Sequence, residues 1–163
     1  MTALTNKLEN KLLDWLFRGQ AIGLNGATAA AGTGLANVYV GLFTTNPTEP
    51  SAGSEGSPGG TEVATGNYTR VTVASSLANW SGTSTGSGGS VSAGSDGTIK
   101  NVNAITFNAP TANWGTITGM GVFDTLTGGT LLFWSAISAN KTVNNGDPAP
   151  SFPAGSLTLQ IDD

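Results

Sequence analysis

Charge is distributed unevenly along this chain, and the unevenness separates a helical segment from a β-forming remainder. The first eighteen residues hold five of the sixteen charged side chains, namely Lys7, Glu9, Lys11, Asp14 and Arg18. The other 145 residues alternate between stretches rich in Gly, Ser and Thr and short runs of β-forming residues. The sequence therefore predicts one N-terminal amphipathic helix attached to a β-rich domain.

The ends of the predicted helix carry recognisable signals. Asn6 followed by Glu9 resembles a capping box, and Thr2 or Thr5 is an alternative N-cap. Gly19 is suited to the left-handed conformation that closes many helices. These signals place the helix close to the N-terminus and end it before the first glycine-containing stretch.

Two apolar surfaces are predicted on this one helix. At 100° per residue a broad face carries Leu4, Leu8, Leu12, Trp15 and Leu16. Leu13 and Phe17 project nearly opposite, and that second surface would be wet in a monomer. The sector between the two surfaces carries Lys7, Lys11, Asp14 and Arg18. Four residues are therefore candidates for a partner interface: Leu13, Phe17, Trp15 and Leu16. The alternative is a helix sunk between the core and the loops, with both surfaces covered.

The remainder of the chain predicts a mainly β fold. Strands are predicted at 37–43, 67–74, 98–107, 114–123, 130–138 and 156–161, with short ones near Val91 and at 142–143. The strongest hairpin joins 114–123 to 130–138 through the turn at 124–129. Seven or eight short strands with turns between them favour an antiparallel β-sandwich, either jelly-roll-like or immunoglobulin-like.

The predicted domain organisation has three parts. Residues 1–19 form a docking helix, residues 20–36 a flexible connector of small residues, and residues 37–163 the β-sandwich domain. Long loops are expected at 44–66 and 75–97, because both stretches are rich in Gly and Ser and the first holds three prolines.

Alternation along the strands predicts the buried core. The expected members are Val40, Leu42, Val71, Ile105, Phe107, Val122, Phe123, Leu132, Trp134, Leu157 and Leu159. Three tryptophans, Trp80, Trp114 and Trp134, are interpreted as core residues, with a sugar-binding surface as the alternative.

The residue types present restrict the chemistry. The chain has no Cys and no His, so thiolate nucleophiles, disulfides, Cys-based metal sites and Ser-His-Asp triads are excluded. Asp96, Asp124 and Asp147 each lie beside turn glycines, and a turn role explains them better than paired-carboxylate catalysis. The stretch at 144–147 lacks the spacing of an EF-hand loop. No catalytic residue, metal ligand or cofactor site is predicted.

Charge and hydropathy also restrict the partners and the location. The net charge is −4, and only Arg70, Lys100 and Lys141 are basic after Arg18, which argues against nucleic-acid binding. No apolar run reaches the length of a membrane span, and the N-terminus lacks an unbroken apolar signal segment. Synthesis and folding in a cytoplasm are expected.

Motifs along nearly the whole chain resemble those of a family of small tailed-bacteriophage virion proteins. They include LTNKLENKLLDWLFRG, VYVGLFTTNPT, GNYTRV, AITFNAPTANWGTITGMGVFD, TGGTLLFW and FPAGSLTLQID, in this order. Such proteins are often described as tail-fibre proteins, and similar compact β-proteins act as capsid cement or decoration proteins. The connector at 20–36 and the loops at 51–60 and 81–97 look longer than the short form of the family.

The resemblance implies a non-enzymatic virion structural protein assembled in the host cytoplasm. The leading hypothesis is a capsid decoration or cement protein that binds the major capsid protein and copies of itself, as a homo-oligomer. The alternative is a tail-fibre or adhesin module that contacts tail proteins and a host-surface glycan. Neither hypothesis involves nucleic acid or a membrane.

Overall fold

The described residues form two compact units, each assembled from segments that are separate in the sequence. The computed structural model describes residues 4–22, 34–48, 59–83 and 92–161. Unit 1 is built from the described parts of residues 1–37, 74–105 and 152–163, and unit 2 from those of residues 38–73 and 106–151. The helix therefore shares its unit with two later segments of the chain.

The fold is mainly β with a single helix among the described residues, as the sequence predicts, and its antiparallel sheets are consistent with a β-sandwich-like fold. The elements in chain order are α1 (Asn6–Phe17), β1 (Asn37–Thr45), β2 (Thr61–Glu62), β3 (Val71–Ala74), β4 (Thr98–Lys100), β5 (Ile105–Thr106), β6 (Gly115–Phe123), β7 (Leu131–Val143), β8 (Ser151–Phe152) and β9 (Thr158–Gln160). Every predicted strand region contains a strand except that near Val91, which lies outside the described residues, as does most of the connector.

The ends of α1 follow the predicted signals in part. Thr5, one of the two alternative caps, is the N-cap, and Asn6 is already the first helical residue. At the other end Gly19 has φ 65°, and the amide of Gln20 donates to the carbonyl of Asp14 at 3.0 Å. The left-handed conformation predicted for Gly19 therefore follows the end of the helix. Within the described residues, no helix is long and apolar enough to cross a membrane.

Unit 2 is organised around a sheet in the order β2-β1-β6-β7, with β3 also paired to β1. The pairs β1–β2, β1–β6 and β6–β7 are antiparallel, so the predicted hairpin of β6 and β7 is confirmed. The strand predicted at 67–74 is shortened to β3 because Gly66 and Asn67 both have positive φ and form a turn instead.

Register explains how the core of unit 2 is built. Val40 lies opposite Val122, which lies opposite Phe133, and Leu42 lies opposite Met120. Residues directly opposite in an antiparallel pair share a face. The four residues from β1 and β6 on this face are buried.

Unit 1 has its own core around α1 and the β4–β9 pair. Leu13, Phe17, Trp80 and Ile99 are fully buried, and the rings of Phe17 and Trp80 meet edge to face with centroids 5.0 Å apart. Leu159 lies opposite Ile99 in the register of β4 and β9. The remaining short strands, β5 and β8, pair with each other.

Three of the predicted core residues are not buried. Val71 and Leu132 are half-buried, and Trp134 is 37% exposed. The prediction for Trp134 was wrong because alternation does not distinguish a central strand from an edge strand, and Trp134 lies on the edge strand β7. The other eight predicted core residues are buried.

Candidate functional site

The two apolar surfaces of the helix differ in their exposure. Leu13 and Phe17, expected to be wet in a monomer, are fully buried in unit 1. Trp15 and Leu16 are half-buried, and Leu4 on the same stripe is 42% exposed. The expectation of an outward surface at Leu13 and Phe17 is therefore corrected, because these two side chains pack into the core of unit 1, where Phe17 meets Trp80.

Part of the polar side of the helix is also buried, around the carboxylate of Asp14, whereas Lys7 is exposed and Lys11 is half-buried. Asp14 Oδ1 accepts a hydrogen bond from Arg18 Nη1 at 2.6 Å and one from Ser92 Oγ at 2.5 Å. Asp14 Oδ2 accepts the backbone amide of Ser92 at 2.8 Å. Both charged residues are almost fully buried, and a buried carboxylate is tolerated only when it is paired and hydrogen-bonded in this way.

A second set of bonds extends this network by one helical turn. Thr83 Oγ1 donates to Asn10 Oδ1 at 2.7 Å and accepts the amide of Gly94 at 3.0 Å. Asn10 Nδ2 donates to the carbonyl of Gly94 at 2.8 Å. The helix therefore holds two stretches of the predicted loop at 75–97, one at residue 83 and one at residues 92–94.

The sequence carries a signal for only one contact of this network, the pairing of Asp14 with Arg18. Asp14 and Arg18 are four residues apart and so share a helix face, but the helical pattern alone places them in a polar sector between two apolar surfaces. Ser92 and Thr83 carry no pattern that predicts their contact with the helix, because a stretch rich in Gly, Ser and Thr indicates a loop without indicating what the loop packs against.

Unit 2 contains a separate ion pair between Glu62 of β2 and Arg70. Arg70 Nε donates to Glu62 Oε1 at 2.8 Å and Arg70 Nη2 to Glu62 Oε2 at 2.7 Å, so the pair is bidentate. Arg70 is buried, and its guanidinium carbon lies 3.4 Å from the centroid of the Phe123 ring. The planar guanidinium of Arg suits this combination of forked pairing and stacking.

Arg70 also fixes the turn of the β6–β7 hairpin. Its Nη1 donates to the carbonyl oxygens of Thr125 and Gly128 at 2.8 and 2.7 Å. The turn is closed independently by Asp124, whose Oδ1 accepts the amide of Thr130 at 2.7 Å. The predicted turn role of Asp124 is confirmed, and Arg70 adds an anchor that no sequence pattern indicates.

Tyr68 completes this cluster. Its hydroxyl donates to Glu62 Oε1 at 2.8 Å and accepts the amide of Leu42 at 2.8 Å. Burial, together with the negative charge of Glu62, raises the pKa of Tyr68 well above its ordinary value. The phenol therefore stays protonated and acts as a fixed donor, which is the opposite of what a tyrosine acting as a general base requires.

The backbone of β1 makes room for this cluster at one glycine. A Cβ at Gly41 would lie 2.8 Å from Glu62 Oε1 and 3.0 Å from the Tyr68 hydroxyl. Any side chain there would push the carboxylate away from its partners. The glycine therefore serves the packing of a charged cluster against the strand.

The remaining acidic candidates also have local roles. Asp147 Oδ2 accepts the amide of Asn144 at 2.7 Å, and Asp96 Oδ1 accepts the amide of Thr98 at 3.3 Å. Both are the turn bonds that the sequence predicts. Among the described residues no group of three or more His, Cys, Asp or Glu side chains is placed to hold a metal ion.

The three tryptophans do not form a shared surface. Trp80 is fully buried in unit 1, and Trp114 is buried in unit 2, where its Nε1 donates to the carbonyl of Gly66 at 2.9 Å. These two confirm the core interpretation, and Trp134 is the exception. A row of exposed tryptophans, which the sugar-binding alternative requires, is not formed by these three residues.

The most exposed long strand of unit 2 is β7, which carries Trp134. Eight of its thirteen residues are exposed, whereas six of the nine residues of β6 are buried. In the described part of the chain β7 pairs only with β6 and so forms one edge of the sheet. An exposed edge strand can accept a partner strand, which makes β7 the candidate interaction surface of this unit.

Comparison with known proteins identifies the family of the chain. No curated protein matches it. A family described as podophage GP4 fiber I protein gp80 matches residues 3–160. The match covers nearly the whole chain and confirms the resemblance to tailed-phage virion proteins. The chain therefore belongs to the podophage GP4 fiber I protein gp80 family of bacteriophage virion proteins.

Proposed function

We propose that this protein is a non-enzymatic structural component of the phage fibre. The observation that carries the proposal is the family match over residues 3–160, whose description names a fibre protein. The capsid-decoration hypothesis, which leads on sequence reasoning alone, becomes the second candidate for this reason.

The side-chain chemistry supports a structural role. The buried charged clusters of both units are used within the fold: Asp14 holds Arg18 and Ser92, and Glu62 holds Arg70. Enzymes instead place charged groups with perturbed pKa values in an accessible cleft. The raised pKa described above belongs to Tyr68, whose hydroxyl is occupied by Glu62 and by a backbone amide.

The low charge content of the chain is compatible with capsid decoration as well. Only 10% of the residues are charged, against about 25% in an ordinary soluble domain. A surface of small polar groups suits broad contacts with neighbouring subunits, including the major capsid protein. The same composition suits a fibre built from repeated subunits, so it does not favour one location.

The helix α1 is still proposed to contact a partner protein, but through a different set of side chains. Since Leu13 and Phe17 are used inside unit 1, the apolar stripe that stays partly exposed is the one with Leu4, which is 42% exposed, and with Trp15 and Leu16, which are half-buried. We propose this stripe as the contact with other virion proteins.

Copy number separates the two candidates. Quantitative mass spectrometry of purified virions, scaled to the major capsid protein, measures how many copies each particle holds. A fibre component is expected at far fewer copies than the major capsid protein. Copies in proportion to the capsid protein would contradict the fibre assignment and support capsid decoration.

A further inference from the structure

The outer edge of β7 has the properties of a self-pairing surface. In the first half of this strand, residues 131–136, every residue pairs with β6 on one side except Leu132, which lies at a register shift. Trp134, Ser135 and Ala136 are exposed, and no other strand of the described residues pairs with β7. Another strand can therefore reach the outer side of this segment.

This segment carries only one of the features by which monomeric proteins protect a sheet edge, the register shift at Leu132. Its sequence, LLFWSA, contains no charged residue, no proline and no glycine. Natural edge strands are usually protected by Lys, by Pro or by a bulge. Here the register shift at Leu132 lies near the start of the segment, and residues 133–136 are regularly paired with β6 up to Ala136, after which residues 137–140 interrupt the pairing and Lys141 follows.

We propose that residues 131–136 pair antiparallel with the same segment of a second copy of this chain, with Trp134 opposite Trp134 of that copy. A two-fold axis perpendicular to the sheet places each face of one copy beside the same face of the other. Two residues that lie opposite each other in an antiparallel pair must share a face. In a symmetric pair of identical strands, one residue must therefore lie opposite the same residue of the second copy. Trp134 is near the middle of the segment and is assigned this position.

The observations favour a second copy over an unrelated strand for two reasons. The pairing sets two exposed indoles side by side, and aromatic cross-strand pairs are among the more stabilising ones. It also brings no charge opposite a like charge, because Lys141 lies beyond the paired segment. The inference holds for a fibre protein and for a capsid protein alike, so it does not depend on the proposed location.

Cysteine cross-linking tests the register directly, because the chain contains no cysteine. Trp134→Cys is introduced into the full chain, and Asn140→Cys serves as the matched control on the same strand. In the proposed register the two substituted positions of the Trp134→Cys dimer lie within the ~7 Å that a disulfide spans. The two control positions lie roughly 30–40 Å apart. Mild oxidation is expected to give a covalent dimer for Trp134→Cys only, on a non-reducing gel.

A charge introduced into the segment tests the interface without cross-linking. Ser135→Lys puts an ammonium group at the centre of the proposed contact, and Asn140→Lys puts the same group outside it. Sedimentation across a range of concentrations is expected to show a dimer for the wild type and for Asn140→Lys. The dissociation constant of Ser135→Lys is expected to rise at least about tenfold. Circular dichroism confirms that both variants are folded.

Three results would overturn the inference. The first is a wild-type chain that stays monomeric at every concentration while Trp134→Cys fails to cross-link. The second is a dimer that Ser135→Lys leaves intact, since the contact would then lie elsewhere. The third is a monomer whose fluorescence changes on addition of oligosaccharides only when Trp134 is present, which would assign this edge to carbohydrate instead.

Discussion

Arg70 lies over Phe123, with its guanidinium carbon 3.4 Å from the ring centroid, while all three guanidinium nitrogens donate hydrogen bonds. Nε and Nη2 hold Glu62, and Nη1 holds two carbonyl oxygens of the hairpin turn. A single side chain therefore connects β2, β6 and the β6–β7 turn of unit 2. The position of the exposed strand β7 follows from this anchor, because β7 begins at the end of that turn.

Replacing Arg70 is expected to destabilise unit 2. Arg70→Met removes the ion pair and leaves Glu62 without its partner, which costs about 2–4 kcal/mol of unfolding free energy, since Glu62 is only partly buried. Lys141→Met removes an exposed cation from the same unit and should change the free energy by less than about 0.5 kcal/mol. Chemical denaturation measures both, and equal losses in the two variants would contradict the anchoring role.

Stability should fall at high pH because of Tyr68. Its folded-state pKa is raised above the unfolded value near 10, so the folded state keeps a proton that the unfolded state releases. The contribution of Tyr68 is therefore complete below pH ~10 and declines as the pH rises above that value, by up to about 1.4 kcal/mol per pH unit.

The variant that isolates this effect is Tyr68→Phe, compared with the wild type. Tyr68→Phe should be less stable at neutral pH by about 1 kcal/mol, through loss of a hydrogen bond, yet should show a shallower decline above pH ~10. Denaturation at a series of pH values measures these slopes, and an unchanged slope in Tyr68→Phe would show that its hydroxyl is not shielded as described.

The buried face of α1 gives a prediction opposite to the one that the helical pattern suggests. Leu13→Asp combined with Phe17→Ser would leave a folded domain if these residues met only a partner. Because both are fully buried and Phe17 packs on Trp80, the variant is instead expected to unfold unit 1. Phe17→Ala alone should cost about 3–5 kcal/mol.

A substitution on the opposite, less buried side of the helix serves as the control for Phe17→Ala. Leu12→Ala removes a half-buried side chain from the stripe that includes Trp15 and should cost clearly less than Phe17→Ala. Thermal unfolding compares the two. If Phe17→Ala were tolerated and Leu12→Ala were not, the helix would be oriented as the sequence pattern alone suggests.

The tryptophans should differ sharply in their contribution to stability. Trp134 is partly exposed on β7, so Trp134→Ala should change the unfolding free energy of the monomer by about 1 kcal/mol or less. Trp80 is fully buried against Phe17, and Trp80→Ala should cost about 3–5 kcal/mol. Similar losses measured at low protein concentration would place Trp134 in a core.

Sequence patterns predict the elements of this fold more reliably than their surroundings. Alternation locates β1 and β6 because both strands have neighbours on either side and bury apolar residues. The same rule fails for Trp134 because burial at an edge strand depends on what lies beyond it. Caps and charges locate the helix, but which apolar face meets the core depends on the segments around Trp80 and Ser92, which are distant in sequence.

The ion pairs and the exposed strand edge can be predicted only in part, because they depend on contacts between segments that are distant in sequence. The spacing of Asp14 and Arg18 indicates that they can pair, whereas the pairing of Glu62 with Arg70 requires the fold of β2 around a glycine of β1. The outer edge of β7 follows from strand order, which a single sequence does not specify.

Antibody-gold labelling of intact virions tests the central claim, that this is a structural component of the phage fibre, most directly. Particles from which the gene is deleted provide the control for antibody specificity. Gold confined to the tail fibres of wild-type particles, and absent from deleted ones, is the predicted result. Gold spread over the capsid shell, with deleted particles less resistant to heat, would contradict the fibre account and establish a capsid decoration protein.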